Sequence, residues 1–386
     1  MANTNFGLLT NEQKTIWSMD FWKQARNYSF TNKFLGKDAN SMIQHIDELK
    51  KTEKGARAVI TLVADMEGDG VVGDRTLKGN EEALKSYDQV IRIDQMRNAN
   101  HNEGRMAEQK SIVTFREQSR DKLAYWLADR IDQMAFLTLS GVAYSKTNKG
   151  VNRVGSDLIN LEFAADVTAP SDRRVARWDN SNKRLVIGGA TSALSGNHYS
   201  TGAYIATNGG DTLADTPTWE MFVQAKAYMK DNYIRGTTSK EGEELYHAFL
   251  TPQAMAKLKL DAVYRDNLRY AQQRGGDNEL FTGTAVKVDG IMLHEFRHVY
   301  NTAGAAGGSK WGAGNIDGCQ VLMCGAQAMG MADIGNPEWD EMQDDYGNSF
   351  GIAVSKILGF KKPTFYTQYS GGTVQDHGLL SIYCAQ

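Results

Sequence analysis

His294, Glu295 and His298 spell HEFRH, the HExxH pattern in which two histidines hold a zinc ion and the glutamate activates its bound water. That chemistry needs a helix, because positions i and i+4 then lie ~5–6 Å apart and can share one ion. Here the motif leaves the segment AVKVDGIML, where Asp289-Gly290 sits between two short alternating runs and signals a hairpin turn. The following stretch, VYNTAGAAGG, is a poor helix former. In an extended strand the two histidines would be ~13 Å apart. The sequence therefore places His294 and His298 on a strand face, with no metal-bound water for Glu295 to activate. A zinc metalloprotease built on HEFRH is the competing reading, and it requires this segment to be helical.

Two acidic clusters invite other chemistry. Asp65 to Thr76 imitates a calcium loop at Asp65, Asp69 and Gly70, but Thr76 stands where the bidentate glutamate is needed and Glu67 replaces the usual Asp or Asn. An acidic solvated tip is the expectation. Asp340, Glu341, Asp344 and Asp345, beside Tyr346, offer carboxylate pairs of the kind used in acid–base catalysis; clustered surface acids are the commoner explanation. No GxxxxGK[ST], GxSxG or strand-turn-helix GxGxxG occurs. Cys319, Cys324 and Cys384 are too few to pair completely, and Cys-x4-Cys without further ligands is not a zinc site, so free thiols are expected. No coherent active site emerges: the sequence designates no catalytic, cofactor-binding or metal residues and no cofactor.

At 386 residues the chain exceeds the length at which one core stops growing, ~250–300 residues, so two or more lobes are expected. Its 41% hydrophobic and 23% charged content is that of an ordered water-soluble protein. The net charge of −3 argues against a dedicated nucleic-acid binder. The start, MANTNFGLL, lacks the pattern of a secretory signal, and no apolar run approaches the ~18 residues of a membrane span.

The elements that would position these residues begin with a capping box, Thr10 and Gln13, followed by Ile16, Trp17, Phe21, Ala25 and Tyr28 at helical spacing. This aromatic stripe suits packing on its own domain or on a neighbouring subunit. A short amphipathic helix is predicted over 41–50. Alternation in ARAVITLV and in 87–95 predicts two strands of a projecting arm, with the glycine- and acid-rich tip DMEGDGVVGD between them. The arm is expected to become ordered only against a neighbouring subunit. From Gln109 to Leu139 no Gly or Pro interrupts a helical pattern, which predicts a rod of roughly 45 Å with Trp126 and Leu127 in a core and Gly141 as its stop. Residues 144–215, with LINLEF, RLVIGG and AYIAT, read as irregular β structure and a candidate insertion. Thr216-Pro217 is predicted to open a helix, ELYHAFL to be a strand leading to a helix begun at Pro252, VLMCGA a buried strand, and GIAVSKILGF a strand pair.

This order of elements resembles the Hong Kong 97-type fold of tailed-phage major capsid proteins. LKGNEEALKSYDQVIRIDQMRNA, then MAEQKSIVTFREQSRDKLAYWLADRIDQMAFLTLSG, is similar to the family typified by the major capsid protein of coliphage N-four. YHAFLTPQAMAKLKLD, NELFTGTAVKVDGIMLHEF, LMCGAQAMG and DDYGNSFGIAVSKILGFKKPTF resemble that family's later blocks in order. The resemblance implies an α+β fold with an N-terminal arm (1–54) and an extended loop (55–105). A peripheral domain (106–214) would follow, with a spine helix at 109–139 and a candidate insertion at 144–214. It implies an axial domain (215–333) and a return to the peripheral domain (334–386). It further implies a non-enzymatic shell protein that forms hexamers and pentamers around packaged double-stranded DNA, touching that DNA without sequence specificity. Other implied partners are a portal and scaffold or decoration proteins, with no membrane; the implied location is the virion capsid, assembled in the host bacterial cytoplasm.

Overall fold

The computed structural model describes residues 11–46, 55, 57–63, 66, 68–83, 85–110, 114–180, 182–187, 215–238, 242–271, 286–307, 309–311, 316–366 and 374–386. The first half of the chain runs α1 (Asn11–Tyr28), β1 (Leu35–Gly36), β2 (Ile43–Ile46), β3 (Arg57–Val63), β4 (Ser86–Arg92), β5 (Asp94–His101), α2 (Arg105–Lys110), α3 (Phe115–Ser140), β6 (Val175–Asp179) and β7 (Arg184–Ile187). Next come α4 (Trp219–Asp231), β8 (Thr237–Thr238), β9 (Glu244–Leu250), α5 (Pro252–Leu260), α6 (Ala262–Ala271), β10 (Val286–Val288) and β11 (Ile291–Glu295). The chain then forms β12 (Gly318–Cys324), β13 (Met329–Asp333), β14 (Glu338–Asp344), β15 (Ser349–Lys361), β16 (Thr364–Tyr366), β17 (Val374–Asp376) and β18 (Leu379–Ala385).

Two sheets organise these elements. One is ordered β10-β11-β9-β12-β18-β6-β7, with β8 beside β9. Its central strands β12 and β18 are buried along their whole length, which is why VLMCGA reads as a continuous apolar run instead of an alternating one. The candidate insertion supplies β6 and β7 to this sheet; LINLEF forms 3-10 turns there, not β structure, and AYIAT lies outside the described residues. In the second sheet β15 is the axis. Leu358 pairs with Asp94 of β5 and with Asp333 of β13, so those two strands flank β15 on opposite sides. Since β14 covers Ser349 to Ser355 while β5 covers Gly351 to Leu358, β13 and β14 run end to end along one side. β2 and then β1 continue the sheet beyond β13.

Helix α3 lies between the sheets. Its first half buries one stripe, Leu123, Ala124, Leu127, Ala128 and Ile131, whereas Met134 to Ser140 is buried all round. Leu127 is buried as expected, while Trp126 is only partly so. The rod is shorter than predicted, starting at Phe115 instead of Gln109. Thr114 is extended (φ −68°, ψ 112°) after the β-branched pair Ile112 and Val113, residues that lose side-chain freedom in a helix. At ~1.5 Å per residue its 26 residues span ~39 Å. Gly141, at φ 68°, ends it as expected.

Other differences have similar causes. The helix expected over 41–50 is instead strand β2, because pairing with β13 and burial of Ile43 and Ile46 outweigh the local pattern; residues 47–50 lie outside the described part. Thr218, not Thr216, precedes α4, whose first amide N–H donates to Asp261 Oδ2 at 3.1 Å. GIAVSKILGF is one strand: Gly359 makes no turn, but a Cβ there would meet the Arg92 carbonyl at 2.1 Å. The Thr251 cap and Pro252 start of α5 are as predicted. So is the hairpin turn at Asp289 (φ 48°) and Gly290 (φ 73°).

Candidate functional site

Strand β11 carries His294 alongside β9, and the HEFRH residues disperse from there. His294 Nε2 lies 3.0 Å from Nδ1 of His247, with the two rings stacked 5.3 Å apart. Phe34 and Phe249 enclose the pair. Burial lowers the pKa of both imidazoles to about 4, and for His294 the neighbouring His247 and Lys33 act in the same direction. His298 is not on the strand face predicted for it: the strand ends at Glu295 and the chain turns, bringing His298 Nε2 to 2.8 Å from Asp129 Oδ1 on α3. Burial opposes ionisation of Asp129, but the His298 hydrogen bond and the charges of Arg297 and Arg130 outweigh it and lower its pKa. Glu295 faces Lys259 at 3.7 Å. Among the described residues, no three His, Cys, Asp or Glu are grouped to hold a metal ion.

The acidic segment is likewise divided. Asp340 reaches Lys14 at 3.8 Å, and Asp344 Oδ1 accepts the Asp345 amide. Glu341 departs from the surface-acid expectation: it is buried, receives two hydrogen bonds of 3.0 Å from Arg116, and accepts Trp339 Nε1 at 3.1 Å. That geometry ties α3 to β14 and leaves the carboxylate no room to act as an acid or base. Of the calcium-like loop, Asp65 and Glu67 lie outside the described residues, and Asp69 and Thr76 are exposed. The three cysteines are free and buried.

A two-faced arm is the better-formed surface. β3 and β4 pair from Arg57↔Arg92 to Val63↔Ser86. One face, Ala58, Ile60, Leu62 and Ile91, is buried against Ile46 and Ala332. The close approach is set by Gly330, where a Cβ would meet Ile60 Cδ1 at 2.0 Å. Hence the base of the arm is held by its own subunit, and the expectation that only a neighbour orders it is corrected for β3 and β4. The opposite face leaves Val59, Val63 and Val90 exposed, and Val72 and Leu77 are exposed beyond the strands. Helix α1 docks through Phe21, Ala25 and Trp17, the last 5.9 Å from Trp339, while Ile16 and Tyr28 face solvent. Thr10, its predicted cap, lies outside the described residues.

Sequence reasoning missed the buried polar ties. Asp132 of α3 accepts hydrogen bonds from Ser29 Oγ (2.8 Å), Phe30 N (2.8 Å), Thr31 N (3.1 Å) and Thr31 Oγ1 (2.6 Å), pinning the chain as it leaves α1. The signal was an aspartate beside Ile131 at the entrance to an otherwise apolar run. Lys356 reaches Asp333 and the Gly335 carbonyl and sits 4.3 Å from the centre of the Trp22 ring; Lys362 pairs with Asp376 at 3.0 Å.

Comparison with known proteins places these surfaces in context. A family model described as phage capsid protein matches residues 5–386. The major capsid protein of Pseudomonas phage KPP25 is 58% identical over 383 residues, which is 99% of this chain and 97% of that protein. Among solved structures, the capsid of Ralstonia phage GP4 superposes with a TM-score of 0.70 at 23% identity, covering 92% of this chain and 91% of that one. The capsid asymmetric unit of cyanophage Pam1 gives 0.68 at 19% identity, covering 99% of both chains. The two solved structures show a shared fold.

Proposed function

Since this chain belongs to the phage capsid protein family and has the Hong Kong 97-type fold, we propose that it is the major capsid protein of a bacteriophage, which assembles copies of itself into the icosahedral shell. The observation that carries this reading is the 58% identity to a major capsid protein along 99% of the chain. Its relatives are structural proteins, and the chain is not an enzyme. The dispersal of HEFRH to three separate partners gives the zinc protease reading no support.

The finer picture follows from the same premise. Copies form hexamers and pentamers. The tip between β3 and β4 reaches a neighbour, the long helix and the β15 sheet form the spine of a peripheral domain, and 215–333 makes an axial domain at the capsomer centre, joined by β6, β7 and β18, which share its sheet. Packaged double-stranded DNA is enclosed without being clamped, in keeping with the net charge of −3. A portal and scaffold or decoration proteins complete the particle, assembly takes place in the host cytoplasm, and the coliphage N-four type is the subgroup whose sequence blocks the chain resembles. Electron microscopy of the purified protein tests the core of this reading: shells or capsomers are expected, and a chain that stays monomeric under all assembly conditions refutes it.

A further inference from the structure

We propose that Tyr346, at the tip of the β14–β15 hairpin, is a knob that docks into a second copy of this chain, in the cleft between the end of α1 and the β13–β14 junction. The inference rests on the shell-forming reading above and adds the contact. It starts from backbone strain. Three consecutive residues lie in the left-handed region: Asp345 (φ 49°), Tyr346 (φ 50°, ψ 30°) and Gly347 (φ 83°). Tight hairpin turns require this conformation, which glycine takes freely and a tyrosine takes against its own Cβ, so the pairing of the flanking strands over-determines it. Here the result is an aromatic side chain that is fully exposed, so its own subunit gains no packing from it. The tip is nonetheless firmly held. β14 and β15 pair continuously from Glu338↔Ser355 to Asp344↔Ser349, and Asn348 N donates to the Asp345 carbonyl at 2.9 Å. A pre-ordered, exposed tyrosine loses little freedom on docking, which is the profile of an interface anchor.

The complementary hole is on the same molecule. A cavity of about 710 Å³ is lined by Trp22, Arg26, Leu35, Lys37, Met331 and Asn336, among others. That volume is within the ~300–1,000 Å³ of cavities that enclose a small ligand, enough for a phenol ring and its flanking backbone. Its walls are mainly apolar. Arg26 is exposed at its mouth, over the Trp22 ring at 5.7 Å, and Asp333 inside it is engaged by Lys356. The knob carries the opposite charge, since Asp344 and Asp345 outnumber Arg105, which approaches the turn at Gly347. Knob and hole cannot meet within one subunit. Asn336 lies at the start of β14 and Tyr346 just past its end, and at ~3.3 Å per residue the extended strand holds them ~25–30 Å apart. Two different patches that fit each other on separate copies make a heterologous, head-to-tail contact, the kind that builds closed rings.

The test uses full-length subunits. Tyr346→Cys and Asn336→Cys chains are mixed, assembled and treated with a short bismaleimide; the native cysteines are buried and react poorly. A covalent dimer in the mixture, absent from either variant alone, is expected. Linkage within Tyr346→Cys shells alone would mean that tips meet tips and would overturn the proposal. In parallel, Tyr346→Ala should lower shell yield at least tenfold with the subunit melting temperature unchanged, and Tyr346→Phe should retain most of the yield. Tyr346→Gly should raise the melting temperature by relieving strain and still lower the yield, which a purely structural role would not do. Shells formed by Tyr346→Ala at the wild-type yield would overturn the proposal while leaving the capsid reading intact. Failure of the wild-type chain to form shells would instead remove the premise.

Discussion

Replacing Asp132 by alanine should detach the end of α1 from the long helix. The carboxylate is buried and takes four hydrogen bonds, three of them on Oδ1 and one, from the Phe30 amide, on Oδ2. Hydrogen bonds to a charged group are worth ~1.5–3 kcal/mol each, so independent contributions would sum to ~6–12 kcal/mol. They are not independent, because they share two oxygens and three consecutive residues, Ser29 to Thr31. The hydroxyls of Ser29 and Thr31 lie 3.0 Å apart and can still bond to each other. What remains is mainly the cost of leaving the Phe30 and Thr31 amides unpaired in a buried place, ~1–3 kcal/mol apiece. A net loss of ~3–5 kcal/mol is therefore expected for Asp132→Ala, a large share of a typical domain's stability. Asp132→Asn keeps one acceptor but presents an NH2 group to an amide or hydroxyl donor, so a loss of ~1–3 kcal/mol is expected. Denaturant unfolding of the unassembled subunit measures the loss, and hydrogen exchange at Phe30 and Thr31 locates it. A change below ~1 kcal/mol for Asp132→Ala, with both amides still protected, would refute the reasoning.

Deleting Glu67 to Gly73 from the arm tip should leave a folded subunit, since β3 and β4 are seated on Ile46 and Ala332, but one that assembles poorly; normal shell yield would contradict this. Leu127→Ala removes a fully buried side chain and should cost ~2–5 kcal/mol, measured as a lower melting temperature of the unassembled subunit. Glu295→Gln should leave assembly nearly unchanged, because Glu295 only faces Lys259 across 3.7 Å; stoichiometric zinc together with peptidase activity in the wild type would overturn that view. His247 and His294 have pKa values lowered to about 4 from 6.5, so below pH 6.5 the unfolded chain binds protons first. Their contribution to stability is flat above pH 6.5 and is lost between there and about 4. The double variant His247→Gln/His294→Gln should flatten the decline in melting temperature between ~pH 6.5 and 5, and equal slopes would count against the pair.

Much of the local architecture was legible because its signals are local. Asp289-Gly290 demands a turn, Thr251-Pro252 starts a helix, and the alternation of Ala58, Ile60 and Leu62 declares one buried face. The extended reading of HEFRH followed from that turn and correctly separated His294 from His298, though the strand ended too soon to carry both. What stayed hidden depends on partners distant in sequence. Ile43 and Ile46 fit a helix or a strand equally well until β13 is present to pair with them. Gly351 and Gly359 look like turn residues in GIAVSKILGF, yet both lie inside β15, and the space at Gly359 is taken by the backbone of Arg92. Tyr346 left no mark of its own, because strain is a property of the backbone and not of the residue type.

The last strand in chain order, β18, sits in the interior of its sheet, between β12 and β6. Its partner Val175 precedes Ser381 by some two hundred residues, just as Ile43 waits for Met329. During synthesis one edge of β2 and one edge of β6 must therefore wait for partners far along the chain, while their other edges pair locally with β1 and β7, a slow and non-local closure. A chain interrupted before Leu379 leaves β12 and β6 with bare edges where β18 belongs. A chain lacking β18 thus cannot finish this sheet and carries open edges in place of a closed surface.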